Sequence, residues 1–385
     1  MYGSTRVPQA FYHIKRVGIQ LLVLVAIAWV GYLVYTQALL NIHRLNLNYG
    51  FEFLQQQSGF DISFKLMDYS SESSCLDALI VGLLNTLLVS LLGIVLSTII
   101  GLSVGVGSLS NTTLIKQSSK TYINIARNIP LLAQLLFWYN LLINALPQLN
   151  KSMHILGFVY LNNRGLSLPR IEAPWLKILS LLLIIQAIRL IVNKHKKNRN
   201  AWLLTCIGGA VLLATLSVDT SWTFNIQFPT PSKFSIKNAT FIPIELICLL
   251  IGLSTYIGAF IAEIVRAGLL SIHQSQYESA YALGLKQHQI IQKIIIPQAL
   301  PLMIPPTLNQ YLNLLKASSL AVAIGFPDLV SVFTGTVLNQ TGQALEIILI
   351  TMGVYLFFNL LISFIINQYN KTQLTWKSND HESNT

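Results

Sequence analysis

The stretch that decides the fold is the polar, basic run at residues 278–297, ESAYALGLKQHQIIQKIIIP. We call it the elbow, and it separates two long apolar segments, residues 241–270 and 300–324. A helix-forming start, a breaker at Gly284 and isoleucines at helical spacing predict a short helix, a glycine turn and a second short helix, which Pro297 ends. The pattern indicates a structured surface element between two membrane spans.

The composition of the chain is that of a membrane protein. Of 385 residues, 53% are hydrophobic and only 10% are charged, whereas soluble domains have about 25% charged residues. The net charge of +11 indicates cytoplasmic loops, which carry excess Lys and Arg in such proteins, and we expect no nucleic-acid partner. Cys75, Cys206 and Cys248 have no paired spacing, so we expect neither a disulfide nor a zinc site.

Apolar runs of about 20 residues, the length that crosses a bilayer, predict an all-α polytopic protein with about eight spans. They are residues 17–35, 78–109, 122–146, 175–192, 202–218, 241–270, 300–324 and 346–366. The first should be an uncleaved span, because no small-x-small site follows it. The KHKKNR run at 194–199 is the strongest cytoplasmic signal, and acidic residues at 41–77 fit the outside. Both termini are then cytoplasmic.

These spans divide the chain into five parts. They are a span with an extracytoplasmic segment (1–77), two spans (78–146), an irregular extracytoplasmic loop with a two-span hairpin (147–240), three spans with the elbow (241–368, elbow region 277–297) and a polar tail (369–385). Residues 325–345 form a polar or re-entrant connection. Five glycines in the second span predict close helix packing: Gly82, Gly93, Gly101, Gly105 and Gly107.

Four ionisable side chains fall inside or at the ends of predicted spans: Arg127, Glu263, Arg266 and Lys316. Such groups are costly in lipid and face a bundle interior, an aqueous path or each other. Glu263 and Arg266 share a helix face, so two interpretations stand: an ion pair that fixes packing, or part of a transport path. Ser318 and Ser319 follow Lys316 and either line a solvated cavity or bond backbone carbonyls.

The elbow resembles the EAA loop of type I ABC importer permeases, E-A-A-x3-G-x9-I-x-L-P. Glu278, Ser279, Ala280, Gly284, Ile294, Ile296 and Pro297 meet every spacing, with Ser279 and Ile296 as mild departures. The stretches at 85–87, 127–134, 262–268, 297–300 and 316–320 resemble the polar amino acid uptake branch. Those at 163–165, 311–314, 327–330 and 339–344 resemble the general L-amino acid permeases.

The resemblance implies a five-span core, formed by the predicted spans 78–109, 122–146, 241–270, 300–324 and 346–366, with the hairpin as an insertion. It implies an amino-acid permease of the bacterial plasma (inner) membrane that performs no bond chemistry and has no catalytic residue, cofactor or metal. The implied partners are a cytoplasmic ATP-binding subunit, a second permease that is a paralogue, and an extracytoplasmic amino-acid-binding protein. No G-x-x-x-x-G-K-[ST] sequence is present, so ATP hydrolysis would belong to another chain.

Two sets of residues follow as candidates. The loop that couples to the ATPase would use Glu278, Ser279, Ala280, Gly284, Ile294 and Pro297, with Glu278 either at its helix start or against the ATPase. The candidate translocation path comprises Arg127, Gln134, Glu263, Arg266, Lys316, Ser318 and Ser319. In it, Lys316 or Arg127 would meet the substrate carboxylate, and Glu263 its ammonium.

Two other classes compete with this interpretation. A secondary transporter driven by an ion gradient would use the same membrane charges, but it favours two halves with matching broken helices, and the sequence shows no such repeat. A membrane scaffold without transport would have no use for charged spans or a patterned loop.

Overall fold

A computed structural model describes residues 9–44, 50–155, 157–172, 225–232 and 236–382. The predicted spans at 175–192 and 202–218, and the basic run between them, lie outside the described residues. The chain forms two compact units, one of Met1–Leu88 with Pro327–Thr385 and one of Val89–Phe326.

Most of the described chain is helical, as predicted. The α-helices are α1 (Gln9–Arg44), α2 (Cys75–Gly107), α3 (Thr113–Asn128), α4 (Leu131–Ala145), α5 (Ile244–Leu270), α6 (Gln274–Ala282), α7 (Gln287–Ile290), α8 (Ile296–Ala317), α9 (Leu338–Thr341) and α10 (Ala344–Glu382). Short 3-10 helices occur at Glu52–Gln55, Leu149–Lys151 and Ser318–Ile324, and π-helices at Ile291–Ile295 and Val330–Val337. Since α10 continues to Glu382, most of the predicted tail is helical.

Three of the described helices are long and apolar enough to cross a membrane: Cys75–Gly107, Ile244–Leu270 and Ala344–Phe364. Shorter apolar helical runs occur at Gly18–Val34 and Leu131–Ala145. Each of the five overlaps a predicted span. The predicted span at 300–324 corresponds to α8 and the 3-10 helix that follows it, whose end is capped by Gly325. A helical membrane protein is confirmed, while the count of eight spans stays a prediction.

The connections predicted to be irregular fold into short strands, so the all-α prediction was incomplete. The strands are β1 (Met153–Ile155), β2 (Val159–Asn162), β3 (Gly165–Glu172), β4 (Asn225–Gln227), β5 (Thr230–Pro231), β6 (Ile236–Lys237) and β7 (Ala239–Pro243). The order β1-β2-β3-β4 is antiparallel, and β7 also pairs with β3. A Cβ at Gly165 would lie 2.1 Å from the Ile242 carbonyl oxygen, so only glycine permits this pairing. Strands this short and rich in proline leave little alternation to detect.

The predicted span at 122–146 is two helices, not one. Ile129 is extended, with φ −92° and ψ 128°, because the ring of Pro130 disfavours helical geometry in the preceding residue. Pro130 also has no N–H, so the Ala126 carbonyl loses its helical donor. The Gln134 Nε2 donates instead to the carbonyl oxygens of Ala126 at 2.8 Å and Ile129 at 3.0 Å. Gln134 therefore satisfies the backbone at the break.

Within Val89–Phe326, α5 is the central helix and α2 lies close against it. A Cβ at Gly101 would lie 2.4 Å from the Ile261 Cγ2, and one at Gly105 would lie 2.7 Å from the Val265 Cβ. Small residues allow helix axes to approach in membranes. The predicted packing role is confirmed at these two glycines.

The other unit, Met1–Leu88 with Pro327–Thr385, has its own buried core. Phe53, Phe333 and Ile347 are almost fully buried in it. The connection at 325–345, predicted to be polar or re-entrant, is a π-helix followed by α9, and Asp328 caps its start by accepting from the Ser331 N–H at 2.8 Å.

Hydrogen bonds order the segment before α2, which was predicted to be extracytoplasmic. The Lys65 Nζ donates to the Asp61 Oδ1 at 2.8 Å and to the Tyr69 carbonyl at 2.6 Å. The bond from Lys65, followed by that from the Ile62 N–H, lowers the pKa of Asp61 below its usual value. Residues 61–69 of this segment are therefore ordered by local hydrogen bonds.

We expect Gln134→Leu to destabilise the protein, because each buried carbonyl left without a donor costs about 1–3 kcal/mol. Thermal unfolding of the purified protein in detergent measures the change. Asn140→Leu is the matched control, since Asn140 is exposed and its amide bonds only within α4. Equal melting temperatures for the two variants would contradict the role of Gln134.

We expect Gly101→Ala and Gly353→Ala to change the free energy of unfolding in opposite directions. The first forces a methyl group into Ile261 and should cost about 1–3 kcal/mol. The second adds a methyl group in the helix α10, where nothing lies within 4 Å, and should stabilise by about 0.5–1 kcal/mol. Chemical denaturation of both variants tests this, and a stable Gly101→Ala protein would refute the close contact.

Candidate functional site

The first helix of the elbow starts before Glu278. The helix α6 begins at Gln274, and the His273 side chain caps it by accepting from the Ser275 N–H. Glu278 lies inside this helix and is exposed, without a hydrogen bond or ion pair to any described residue. The expectation that Glu278 acts at its helix start is therefore wrong, because the helix starts four residues earlier. A contact with another chain stays a prediction.

The turn of the elbow depends on the backbone of Gly284. Its φ is +76°, a left-handed conformation, and a Cβ placed there would meet nothing within 4 Å. The requirement is thus conformational and not one of space. The Gly284 N–H donates to the Tyr281 carbonyl at 2.9 Å and the Leu285 N–H to the Ala280 carbonyl at 3.3 Å, which closes the end of α6.

One face of the elbow is buried against the rest of its unit. Ala280, Ile290 and Ile295 are 2%, 2% and 1% exposed and form one apolar cluster. Leu269, near the end of α5, and the partly buried Ile294 pack against it. The predicted amphipathic face is confirmed at Ile290, Ile294 and Ile295, whereas Ile291, which belongs to the same pattern, is exposed. This face attaches the elbow to the helix before it.

The second half of the elbow does not end at Pro297, which corrects the prediction. The π-helix Ile291–Ile295 passes directly into α8, with Pro297 in the first turn of that helix. In an α-helix the N–H at this position would bond the carbonyl of Lys293, but Lys293 lies in the π-helix Ile291–Ile295, where bonding follows the i, i+5 pattern instead, so the missing N–H of Pro297 does not break the helix. The second half of the elbow, from Gln287, and α8 are therefore one continuous helical segment.

The outer face of the elbow exposes apolar side chains at its tip. Tyr281 is 71% exposed and Leu283 is 79% exposed, while Glu278, Ser279 and Gly284 are also exposed around them. Sequence reasoning missed Tyr281 and Leu283. Their exposure could have been predicted, because both are apolar and neither lies at the helical spacing of the buried isoleucines.

The charged residues of the predicted path meet at α3 and α5. The Arg266 Nε donates to the Glu263 Oε2 at 3.0 Å and its Nη2 to the Oε1 at 2.6 Å. The Arg127 Nη1 lies 3.9 Å from the same Oε2, and its guanidinium lies 5.1 Å from the centre of the Phe260 ring. The intrahelical ion pair therefore exists, and a second arginine stands beside it.

These side chains border a cavity of ≈ 250 Å³, which we call the charged cavity. It is lined by Lys120, Ile123, Asn124, Arg127, Glu263 and Arg266. Sequence reasoning missed Lys120 and Asn124, although their spacing of seven and three residues before Arg127 places all three on one helix face.

The remaining predicted path residues do not join this group. The Ser318 and Ser319 hydroxyls donate to the carbonyls of Leu315 and Lys316, both at 2.7 Å, so both serines satisfy backbone groups. Lys316 is exposed and lines neither described cavity. Gln134 lines a larger, apolar cavity of ≈ 750 Å³ with Tyr122 and Trp138.

Comparison with known proteins adds sequence relatives of nearly full length. The protein YhdX of Escherichia coli (strain K12) is 39% identical over 366 residues, covering 91% of this chain and 92% of that protein. The general L-amino acid transport system permease protein AapQ of Rhizobium johnstonii is 38% identical over 362 residues, covering 91% and 90%. The glutamate/glutamine/aspartate/asparagine transport system permease protein BztB of Rhodobacter capsulatus is 35% identical over 394 residues, covering 91% of both.

A family model agrees with these relatives. The model of the binding-protein-dependent transport system inner membrane component matches residues 93–373, a range that includes the elbow and the charged cavity. The chain therefore belongs to the family of binding-protein-dependent transport system inner membrane components.

Proposed function

We propose that the chain is the permease subunit of a binding-protein-dependent ABC importer for amino acids. The single observation that carries this proposal is the elbow, whose buried face joins it to α5 and whose helix continues into α8. Family membership and the names of AapQ and BztB support the transport of amino acids. A transporter driven by an ion gradient would have no use for a rigid surface elbow.

The proposed complex needs further subunits. A cytoplasmic ATP-binding subunit would supply the hydrolysis, a second permease of the paralogous type would complete the path, and a binding protein would deliver the substrate. The proposed topology keeps about eight spans with both termini cytoplasmic, a count that rests on the apolar runs and on the charge of the connections. In this topology the elbow faces the cytoplasm.

The geometry of the elbow explains how force would reach the spans. Leu269 packs against the elbow from α5, and α8 continues the elbow without a break. A displacement of the elbow would therefore move both helices together. ATP binding and hydrolysis would in this way shift the balance between inward-open and outward-open states, because each state presents the elbow differently to the ATPase.

The charged cavity is the proposed part of the path nearest the elbow. Arg266, which lines it, stands four residues before Leu270, the last residue of α5. Glu263 already accepts from two nitrogens of Arg266, Nε and Nη2, so it serves better to orient that arginine than to receive a substrate ammonium. Arg127 is the residue of this group that offers free donors to a carboxylate.

We expect Leu283→Asp to impair coupling at least tenfold, because central apolar residues of an interface contribute about 2 kcal/mol or more. The measurement is uptake of an amino acid and ATP hydrolysis stimulated by the binding protein, in vesicles that contain the complete importer. Copurification of the ATP-binding subunit reports assembly separately.

Leu114→Asp is the matched control for this experiment. Leu114 is 76% exposed, close to the 79% of Leu283, but it lies at the start of α3, away from the elbow in sequence. It should retain assembly and uptake. If Leu283→Asp also retained full uptake and copurification, the assignment of the elbow tip to the ATPase would fail.

A further inference from the structure

The charged cavity has an excess of positive charge. Three cationic side chains, Lys120, Arg127 and Arg266, line it with one carboxylate, that of Glu263. Apart from Ile123, every residue of the lining is polar or charged. A site of this composition attracts an anion, because uncompensated like charges in a partly enclosed space repel each other.

The cationic side chains of the cavity differ in how many of their hydrogen-bond donors are already in use. Arg266 spends its Nε and one Nη on Glu263. The Arg127 guanidinium is beyond hydrogen-bond distance of Glu263, at 3.9 Å. Neither it nor the Lys120 ammonium donates a hydrogen bond to any described residue. Two cationic groups on one face of α3 therefore retain donors for a ligand.

The position of Arg127 is held from the side. The face of Phe260, one turn before Glu263 on α5, lies 5.1 Å from the guanidinium, which is within the range of a cation–π contact. The stacked ring limits the orientations of the guanidinium and leaves its edge for a planar acceptor. A carboxylate matches that edge with two parallel hydrogen bonds.

We infer that the charged cavity binds the side-chain carboxylate of a dicarboxylic amino acid, with Arg127 and Lys120 as its ligands. This inference rests on the proposed function and specifies its substrate class. The volume of ≈ 250 Å³ suits a small ligand, because pockets for drug-sized molecules measure about 300–1,000 Å³. An amino acid such as L-glutamate carries a net charge of −1 and complements the cavity. L-glutamine has the same shape without that charge, and L-lysine has the opposite charge.

Direct binding to the assembled importer tests the inference without the binding protein, whose own selectivity would mask the effect. The complex is placed in lipid nanodiscs, and the dissociation constants of L-glutamate, L-glutamine and L-lysine are measured by calorimetry. The wild-type complex should prefer L-glutamate over L-glutamine. Arg127→Gln should weaken L-glutamate by about tenfold or more, the loss expected for a charged hydrogen bond, and change L-glutamine by less than about twofold.

Two further variants separate binding from folding. Lys120→Gln removes the second ligand at an exposed position and should weaken L-glutamate in the same direction. Lys116→Gln removes an equally exposed lysine of α3 that does not line the cavity and should leave L-glutamate binding unchanged. Equal losses for L-glutamate and L-glutamine, or no loss in Arg127→Gln and Lys120→Gln, would overturn the inference.

A lipid phosphate is the competing anion, and the lipid composition distinguishes it. Nanodiscs with and without anionic phosphatidylglycerol are compared. If only anionic lipid, and not L-glutamate, responds to Arg127→Gln, the cavity holds a lipid headgroup and the substrate assignment is refuted. ATP-driven uptake of L-glutamine by the wild-type importer checks the proposed function separately, because it would persist even if the cavity had no preference for L-glutamate.

Discussion

The close contact between α2 and α5 supports the unit that contains the candidate sites. Because Gly101 and Gly105 present no side chain, α5 is buried along much of its length, and α3, α4 and α8 all contact it. A helix packed on so many sides cannot rotate or tilt alone. Its last two turns carry Glu263 and Arg266, and its end leads into the elbow. The position of the charged cavity and that of the elbow thus depend on the same helix.

Prolines lack a backbone N–H, and in this chain that lack breaks a helix at one position and leaves a helix continuous at others. Pro130 separates α3 from α4, and the freed carbonyl of Ala126 requires the amide of Gln134. Pro297 leaves its helix uninterrupted, because the turn before it is the π-helix Ile291–Ile295. The prolines of α8, Pro301, Pro305 and Pro306, lie inside that helix. Each proline lacks the same backbone donor, and the outcome depends on how the chain bonds the carbonyl one turn earlier.

The ion pair between Glu263 and Arg266 illustrates a limit of sequence reasoning about charges. The spacing of three residues correctly indicated that the two side chains meet. That spacing could not indicate that Arg127 and Lys120 lie nearby, because they belong to α3, and the sequence does not show how α3 packs against α5. The excess of positive charge therefore comes from α3, because Glu263 and Arg266 balance each other on α5, and only the packing of the two helices brings it into one cavity. The proposed preference for a dicarboxylic amino acid follows from that pair.

The amino-acid sequence by itself determined the membrane class, most of the apolar helices and the glycine turn of the elbow. These depend on local properties: the length of apolar runs, helical periodicity and the left-handed backbone at Gly284. The break at Pro130 and the continuity through Pro297 are also local, although the apolar pattern did not reveal them. Tertiary structure decided the strand pairing beside Gly165 and the position of Arg127 beside Glu263 and Phe260. Both depend on groups that are far apart in the sequence, and only the folded chain brings those groups together.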